Sequence, residues 1–358
     1  MTSSTAAERA PDGAAGVPPF VQLYELTTGA WLTQAISVAA RLGVADAIAS
    51  GATTSAAIAQ QVGAHAPTLY RLLRALADHG VFAQGAGDRF ALTPIGQSLR
   101  SDAPHSMRRW AIWTGAPFYR EAWSDLENAV RTGEPSFARV HGTDLFGYLE
   151  DHPGAAAIFD GAMKDIAGNF LAGILAVYNF ADRSTVVDVG GGSGTLLAAI
   201  LQAVPRARGV LFDIPAVVAS AGPVMQAAGV AERCQTVPGN FFDEVPPEGD
   251  LYILSNIIHD WDDDKALRIL RTCRAAMAAN SRLLIIELVL PDDARPSMGK
   301  LLDLEMLSVT PNGRQRTEAE YVELLARAGL QATGVVPALP GSPASYVEAA
   351  PAPNPGRR

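Results

Sequence analysis

Residues 186–194 read VVDVGGGSG, and no other stretch constrains this chain more. An apolar run with strand character enters them, and the helical pattern GTLLAAILQAVP leaves them. Glycine lacks Cβ, so such a turn lets the backbone bend sharply and lets a ligand approach it closely. The first N–H groups of the following helix then point at that ligand. A P-loop is excluded, because no Gly-Lys-Ser/Thr follows. The dinucleotide pattern G-x-G-x-x-G is excluded too: counted from Gly190 it needs glycine at 195, where Thr195 stands. The spacing is G-x-G-x-G, from Gly190, Gly192 and Gly194.

That spacing after Asp-Val is associated with S-adenosylmethionine (SAM). Asp213 supports a ribose-bearing cofactor, since it ends the next apolar strand in VLFDIP, at the distance expected of a carboxylate that accepts from two ribose hydroxyls. The alternative is a tight turn without a ligand, and the two features together argue against it.

From Ser184 onward strands and helices alternate. STVVDVG, RGVLFDIP, RCQTVPG, DLYILSNIIHD and SRLLIIELVL read as strands. GTLLAAILQAVP, AVVASAGPVMQAAGVAE, DDKALRILRTCRAAMA and TEAEYVELLARAGL read as helices, and residues 345–348 as a weak closing strand. Such alternation with near-continuous apolar strands predicts a parallel sheet covered on both faces, with ligands at the carboxyl ends of its strands.

The preceding half is different. TTSAAIAQQVGA and APTLYRLLRALADHG predict two helices joined by a short turn, and VFAQGAGDRFALT predicts a hairpin. Helix, helix and hairpin make a winged helix. A DNA reading is weak: the second helix offers only Arg71 and Arg74 as cations, and Leu69, Leu72, Leu73 and Leu76 form a broad apolar face that suits subunit contact better. The formal net charge of −9 also argues against nucleic acid as a partner. Residues 110–180 read as helical, with Pro153-Gly154 as a break. No apolar run reaches the length of a membrane span, and the Ala-, Gly- and Pro-rich start lacks a leader's features. Cys234 and Cys273 lack metal-like spacing and are expected to be buried free thiols in a reducing cytoplasm.

The segments DRFALTPIGQSLRSD, AWSDLENAVRTGEPSF, VVDVGGGSG, FDIP, PGNFFDEVP, IIHDWDDDKALRIL and RQRTEAEY together resemble the SAM-dependent O-methyltransferases of the plant caffeic-acid and acetylserotonin type. That family includes bacterial enzymes that decorate aromatic natural products. The resemblance runs from about residue 25 to 348. It implies an α/β protein: a Rossmann-like class I methyltransferase domain with a mainly helical, winged-helix-like N-terminal dimerisation domain. The implied division is a disordered tail (1–19), the dimerisation domain (20–110), a helical connector that contributes to the acceptor pocket (111–180), the SAM-binding catalytic domain (181–350) and a second tail (351–358). The implied partners are SAM, with S-adenosyl-L-homocysteine as product, an aromatic acceptor, and a second copy of the chain. No metal, nucleic acid or membrane is implied.

The resemblance also assigns residues. Gly190 and Gly192 border the methionine end of SAM, Asp213 its ribose, and Ile214 its adenine. Asn240 and Phe241 stand where the family has an acid and an apolar residue at the adenine; an Asn carbonyl can still accept from the adenine amino group. Ser255 stands four residues before His259, where plant members often carry Lys. His259 is the implied base, and Glu287 and Gln315 the groups that hold its ring. Gln315 replaces a family Glu, so it can bond the imidazole but cannot offset its positive charge. Asp260 has an open role: bonding the base, touching SAM or substrate, or capping the next helix. Phe159, Met163, Met306, Leu307 and Thr310 are the implied acceptor pocket, although Met and aromatic residues at such spacing are equally at home in a core. The residues themselves leave a second chemistry open, in which SAM is retained for hydroxylation, decarboxylation or a pericyclic reaction.

Overall fold

The computed structural model describes residues 17–337 and 345–353. The expected tails fall largely outside that range, at residues 1–16 and 354–358. Their inner limits are corrected: Pro19 already opens a helix, and Pro351 still belongs to a strand.

The chain divides into two compact units between Ala103 and Pro104. In the first, helices Pro19–Thr27, Gly29–Leu42, Val44–Ala49, Ser55–Val62 and Ala66–Asp78 precede a hairpin of β1 (Phe82–Gln84) and β2 (Phe90–Leu92). Gly43 and Gly63 take positive φ, +74° and +67°, and end their helices in the left-handed conformation that glycine adopts without steric cost. One expectation is corrected here. Leu69, Leu73 and Leu76 do not present a free apolar face, because they are buried within this unit. Exposed apolar surface lies instead on Phe20, Leu23, Leu26 and Trp31 of the first two helices.

The second unit begins with helices Arg108–Thr114, Pro117–Ser124, Leu126–Thr132, Ser136–His141 and Leu145–Asp151, then the 25-residue helix Pro153–Val177. Pro153 takes the first helical turn, where a missing N–H costs nothing. The sheet follows: β3 (Thr185–Val189), β4 (Arg208–Asp213), β5 (Cys234–Pro238), β6 (Leu251–Ser255) and β7 (Arg282–Glu287). A short parallel pair, β8 (Val289–Leu290) with β9 (Arg316–Thr317), stands apart from it. β10 (Leu330–Pro337) and β11 (Ser345–Pro351) complete the sheet.

The strand order is β10-β11-β7-β6-β3-β4-β5. Five strands run parallel, but β11 pairs antiparallel with both β7 and β10, so the sheet is mixed and not wholly parallel. Sequence reading missed β10, where Gly334 and a register shift after Ala332 blur the alternation. Two further expectations are corrected. The helix expected after Asp213 is two short ones, Pro215–Val218 and Gly222–Ala227, divided before Gly222-Pro223 because proline cannot donate to a preceding turn. The strand SRLLIIELVL is interrupted at Leu288, between β7 and β8.

Both faces of the sheet are covered. Val187, Val189, Tyr252, Leu254 and Ile285 pack on one side with Ile269 and Leu325; Val186, Leu211, Ile253 and Leu284 pack on the other with Leu197 and Ile200. Chain direction across the sheet reverses between β3 and β6, which opens a crevice at their carboxyl ends.

Candidate active site

The loop after β3 is shaped by three glycines with positive φ: Gly190 (+71°), Gly192 (+59°) and Gly194 (+78°). A Cβ on Gly190 would lie 2.6 Å from Ile257 Cδ1, so the loop is pressed against the segment that follows β6. A Cβ on Gly192 would meet nothing within 4 Å, so that part of the loop faces open space. Asp213, at the end of β4, accepts from the Gly192 N–H (2.9 Å) and the Ile214 N–H (2.7 Å). Burial raises the pKa of this carboxyl, and the two N–H groups pull it back down. Each oxygen keeps a second lone pair for a ligand hydroxyl.

Beneath the loop sits Asp188, 1% exposed, with neither carboxylate oxygen hydrogen-bonded. Burial, and then the charge of Asp213, push its pKa up to about 7. Sequence reading quoted this residue within its motif and gave it no role.

The residues expected at the adenine follow the ends of β4 and β5. Ile214 is 45% exposed at the end of β4. Phe241 stands 3.5 Å from the position of a Gly190 Cβ and meets Phe242 and Trp261 edge-on. Asn240 is exposed, and its side-chain carbonyl already accepts from the Phe242 N–H at 3.0 Å. The amide NH2 is therefore its freer end, where the sequence expectation had relied on the carbonyl. Ser255 ends β6, beside the glycine loop's strand.

After Ser255 the chain turns through Asn256, at φ +54°, into a 3-10 turn, Ile258–Asp260. His259 is buried there. Its Nδ1 lies 2.9 Å from Gln315 Nε2, and its Nε2 lies 3.6 Å from Asp260 Oδ1. Burial, with help from the charge of Glu287, raises the Asp260 pKa to about 6 against the pull of His259. Gln315 is 1% exposed, and its Oε1 has no partner.

Glu287 differs from expectation. It does not hold the imidazole ring; its Oε1 accepts from the backbone N–H groups of His259 and Ile257, both at 3.1 Å. Its Oε2 accepts from the Tyr321 hydroxyl. The break at Leu288 leaves this carboxylate directly under the turn, so backbone amides reach it first. Glu287 thus fixes the turn on which His259 sits.

Arg316, 1% exposed, completes the frame by donating to the Ile258 and Trp261 carbonyls at 3.0 and 2.9 Å and pairing with Asp263 at 2.8 Å. Tyr321 and Arg316 were missed as functional supports, although both lie in the RQRTEAEY motif; nothing in their spacing shows what they touch.

Among the residues expected at the acceptor, Phe159 meets Trp113 and Phe146 edge-on, and Phe146 stacks on Trp261. Phe159 and Met163 are half-buried beside this aromatic group. Met306 is buried on helix Met298–Val309 and Leu307 is half-buried. The Thr310 hydroxyl is committed to backbone: it donates to Met306 O (2.8 Å) and accepts from the Gly313 N–H (2.9 Å). Glu305, next to Met306, was not singled out in sequence, although it is an acid in the run LEMLSV, which is otherwise apolar apart from Ser308. Among the described residues no cluster of His, Cys, Asp and Glu is arranged to hold a metal, and no helix is long and apolar enough to cross a membrane.

Residues 123–331 match an O-methyltransferase domain, and residues 24–102 match an O-methyltransferase dimerisation domain. The chain is 45% identical over 338 residues to the phenazine O-methyltransferase PhzM of Lysobacter antibioticus, covering 94% of this chain and 98% of that one. It is 38% identical to a phenazine-1-carboxylate N-methyltransferase of Pseudomonas aeruginosa, covering 88% and 92%. Its fold matches the O-methyltransferase NcsB1 of neocarzinostatin biosynthesis, solved with SAM and 2-hydroxy-5-methyl naphthoic acid, at TM-score 0.77 and 36% identity, over 94% of this chain and 100% of that one.

Proposed function

The chain belongs to the O-methyltransferase family defined by that catalytic domain and its dimerisation domain, and from this premise we propose that it methylates a hydroxyl of an aromatic natural-product intermediate with His259 as general base. SAM is the cofactor. The residues present suit it: the open side over Gly192, the preset carboxylate of Asp213 for ribose, and Ile214, Asn240 and Phe241 for adenine. When bound, SAM supplies an electrophilic methyl group and a neutral thioether leaving group.

One observation carries the assignment of the base. Ile257, two residues before His259, is the side chain pressed against Gly190, so the cofactor loop and the imidazole are held side by side. A phenol has a pKa of about 10 and is a poor nucleophile at neutral pH. His259 takes that proton as the oxygen–methyl bond forms and the sulfur–methyl bond breaks. A half-turn of the Gln315 amide would place its partnerless Oε1 on Nδ1–H, leaving the Nε2 lone pair free to accept. Asp260, 3.6 Å away, then lies on the side where positive charge develops. Glu287 and Arg316 hold the turn still while this happens.

Exposed Phe20, Leu23, Leu26 and Trp31 in the dimerisation domain support a homodimer. The N-methyltransferase relative supports a second reading, transfer to an aromatic nitrogen. The test is a panel of hydroxylated and aminated aromatics incubated with SAM, with products fragmented in a mass spectrometer. One methyl on oxygen is expected. Methylation confined to nitrogen would replace this reading, and no methylated product from any member would overturn it.

A further inference from the structure

Strand β5 ends in a polar side chain whose two ends are not equivalent. Pro238, the last residue of β5, pairs in register with Asp213, and the next residue, Gly239, donates its N–H to the Asp213 carbonyl at 2.9 Å. A Cβ on Gly239 would strike the Phe212 ring, so the chain hugs the end of β4 as it leaves the sheet. Asn240 comes next, and Phe241 after it stands against the Gly190 position. Asn240 is thereby held between the ribose carboxylate's strand and the glycine loop, with its side chain exposed.

The backbone sets which way this amide faces. Asn240 Oδ1 accepts from the Phe242 N–H at 3.0 Å, and the Asn240 main-chain carbonyl accepts from the Asp243 and Glu244 N–H groups at 2.9 and 3.2 Å, closing a turn. Only the oxygen end of an amide can meet an N–H, so the oxygen stays with the turn. Among the described residues the Asn240 NH2 donates to nothing. The acid nearest in sequence, Asp243, does not compete for it, being paired with Arg268 at 2.8 Å.

We infer that Asn240 makes the cofactor site tolerant at the 6-position of the purine, so that it receives a 6-oxo nucleoside about as well as the 6-amino nucleoside of SAM. The inference rests on the placing of adenine at Asn240 in the function proposed above. Adenine carries an acceptor, N1, beside its 6-amino donor. Hypoxanthine carries an acceptor, O6, beside an N1–H donor. An NH2 group that only donates finds an acceptor on either base. A carboxylate in its place would only accept, holding the 6-amino group and repelling the 6-oxo oxygen. Discrimination comes from the polar group left unpaired by the wrong base, and here neither base leaves the NH2 unpaired.

The test is calorimetric affinity for S-adenosyl-L-homocysteine and S-inosyl-L-homocysteine, measured on the wild type and on Asn240→Asp. Aspartate also accepts from the Phe242 N–H, so the turn is kept. The wild type should bind the two within about threefold of each other, and Asn240→Asp should favour the adenosyl form by about tenfold or more. A wild type that itself prefers the adenosyl form by about tenfold or more overturns the inference. So does a variant whose ratio stays at the wild-type value, the result expected of a residue that only closes the turn. Damage to the fold would weaken both ligands together without moving their ratio; should Asn240→Asp not fold, the wild-type ratio decides. The predicted ratios without methylated product from any acceptor would overturn the methyl-transfer reading and leave this inference standing. Methylated product with an unmoved ratio would do the reverse.

Discussion

At His259 the ring is held by an amide where the resemblance leads one to expect a carboxylate, and that single atom matters to the chemistry. Gln315 can meet Nδ1 with either end, so it fixes no tautomer by charge. A carboxylate there would accept only, would favour Nδ1–H, and would stabilise the imidazolium. Gln315→Glu should therefore move the acidic limb of the kcat/KM profile to higher pH by about one unit; a limb that does not move would separate Gln315 from the base. His259 was singled out in the sequence as the candidate base, because it alone among the histidines follows a strand of the cofactor sheet and sits beside acidic residues and Trp261. Its partners were legible as positions but not as contacts. A strand end tells where Glu287 lies, not whether its oxygens reach a ring or the backbone N–H groups above it. For the same reason Asn240 was placed at the adenine edge, while the bond that occupies its carbonyl was not foreseen.

Elements meet at two buried carboxylates, and each makes the fold answer to a single side chain. Glu287 joins the end of β7, the 3-10 turn and the helix of Tyr321. Glu287→Ala strands three donors, and we expect a loss of about 3 kcal/mol or more in chemical denaturation, with Glu287→Gln milder. Unchanged stability with lost activity would instead make Glu287 a direct participant. Asp188, in β3, acts in the opposite sense. Its carboxyl has a pKa of about 7 in the fold and about 4 in an unfolded chain. Between those values the folded state holds the proton more tightly, so Asp188 makes stability fall as pH rises from about 4 to about 7. Asp188→Asn should flatten that dependence and raise the denaturant midpoint at pH 8, by on the order of 2 kcal/mol in stability. A lower midpoint would mean that an unseen donor serves this carboxylate. The β-α order of these elements was readable because parallel strands buried on both faces are apolar throughout. β10 was not, because its Gly334 and shifted register break the pattern such reading depends on.

At the scale of the whole molecule the chain combines a unit that offers apolar surface with a unit that offers a reaction site. The winged-helix order was legible from spacing, but its sticky face was not. Leucines at helical spacing announce burial without saying in what, and here they fill the unit's own core while Phe20 and Trp31 stay exposed. Light scattering at micromolar concentration should report a dimer, and Trp31→Asp with Phe20→Glu should yield a monomer of 37.6 kDa; a monomeric wild type would refute the assignment. The central claim is that one part of the second unit holds the methyl donor while another removes the acceptor's proton. Single-turnover transfer of a deuterated methyl group at saturating SAM, compared between wild type and His259→Ala, tests that division most directly. The account predicts a rate lower by about 10²–10⁴-fold in the variant with S-adenosyl-L-homocysteine affinity near wild type. An undiminished rate, or a rate and an affinity lost together, would contradict it.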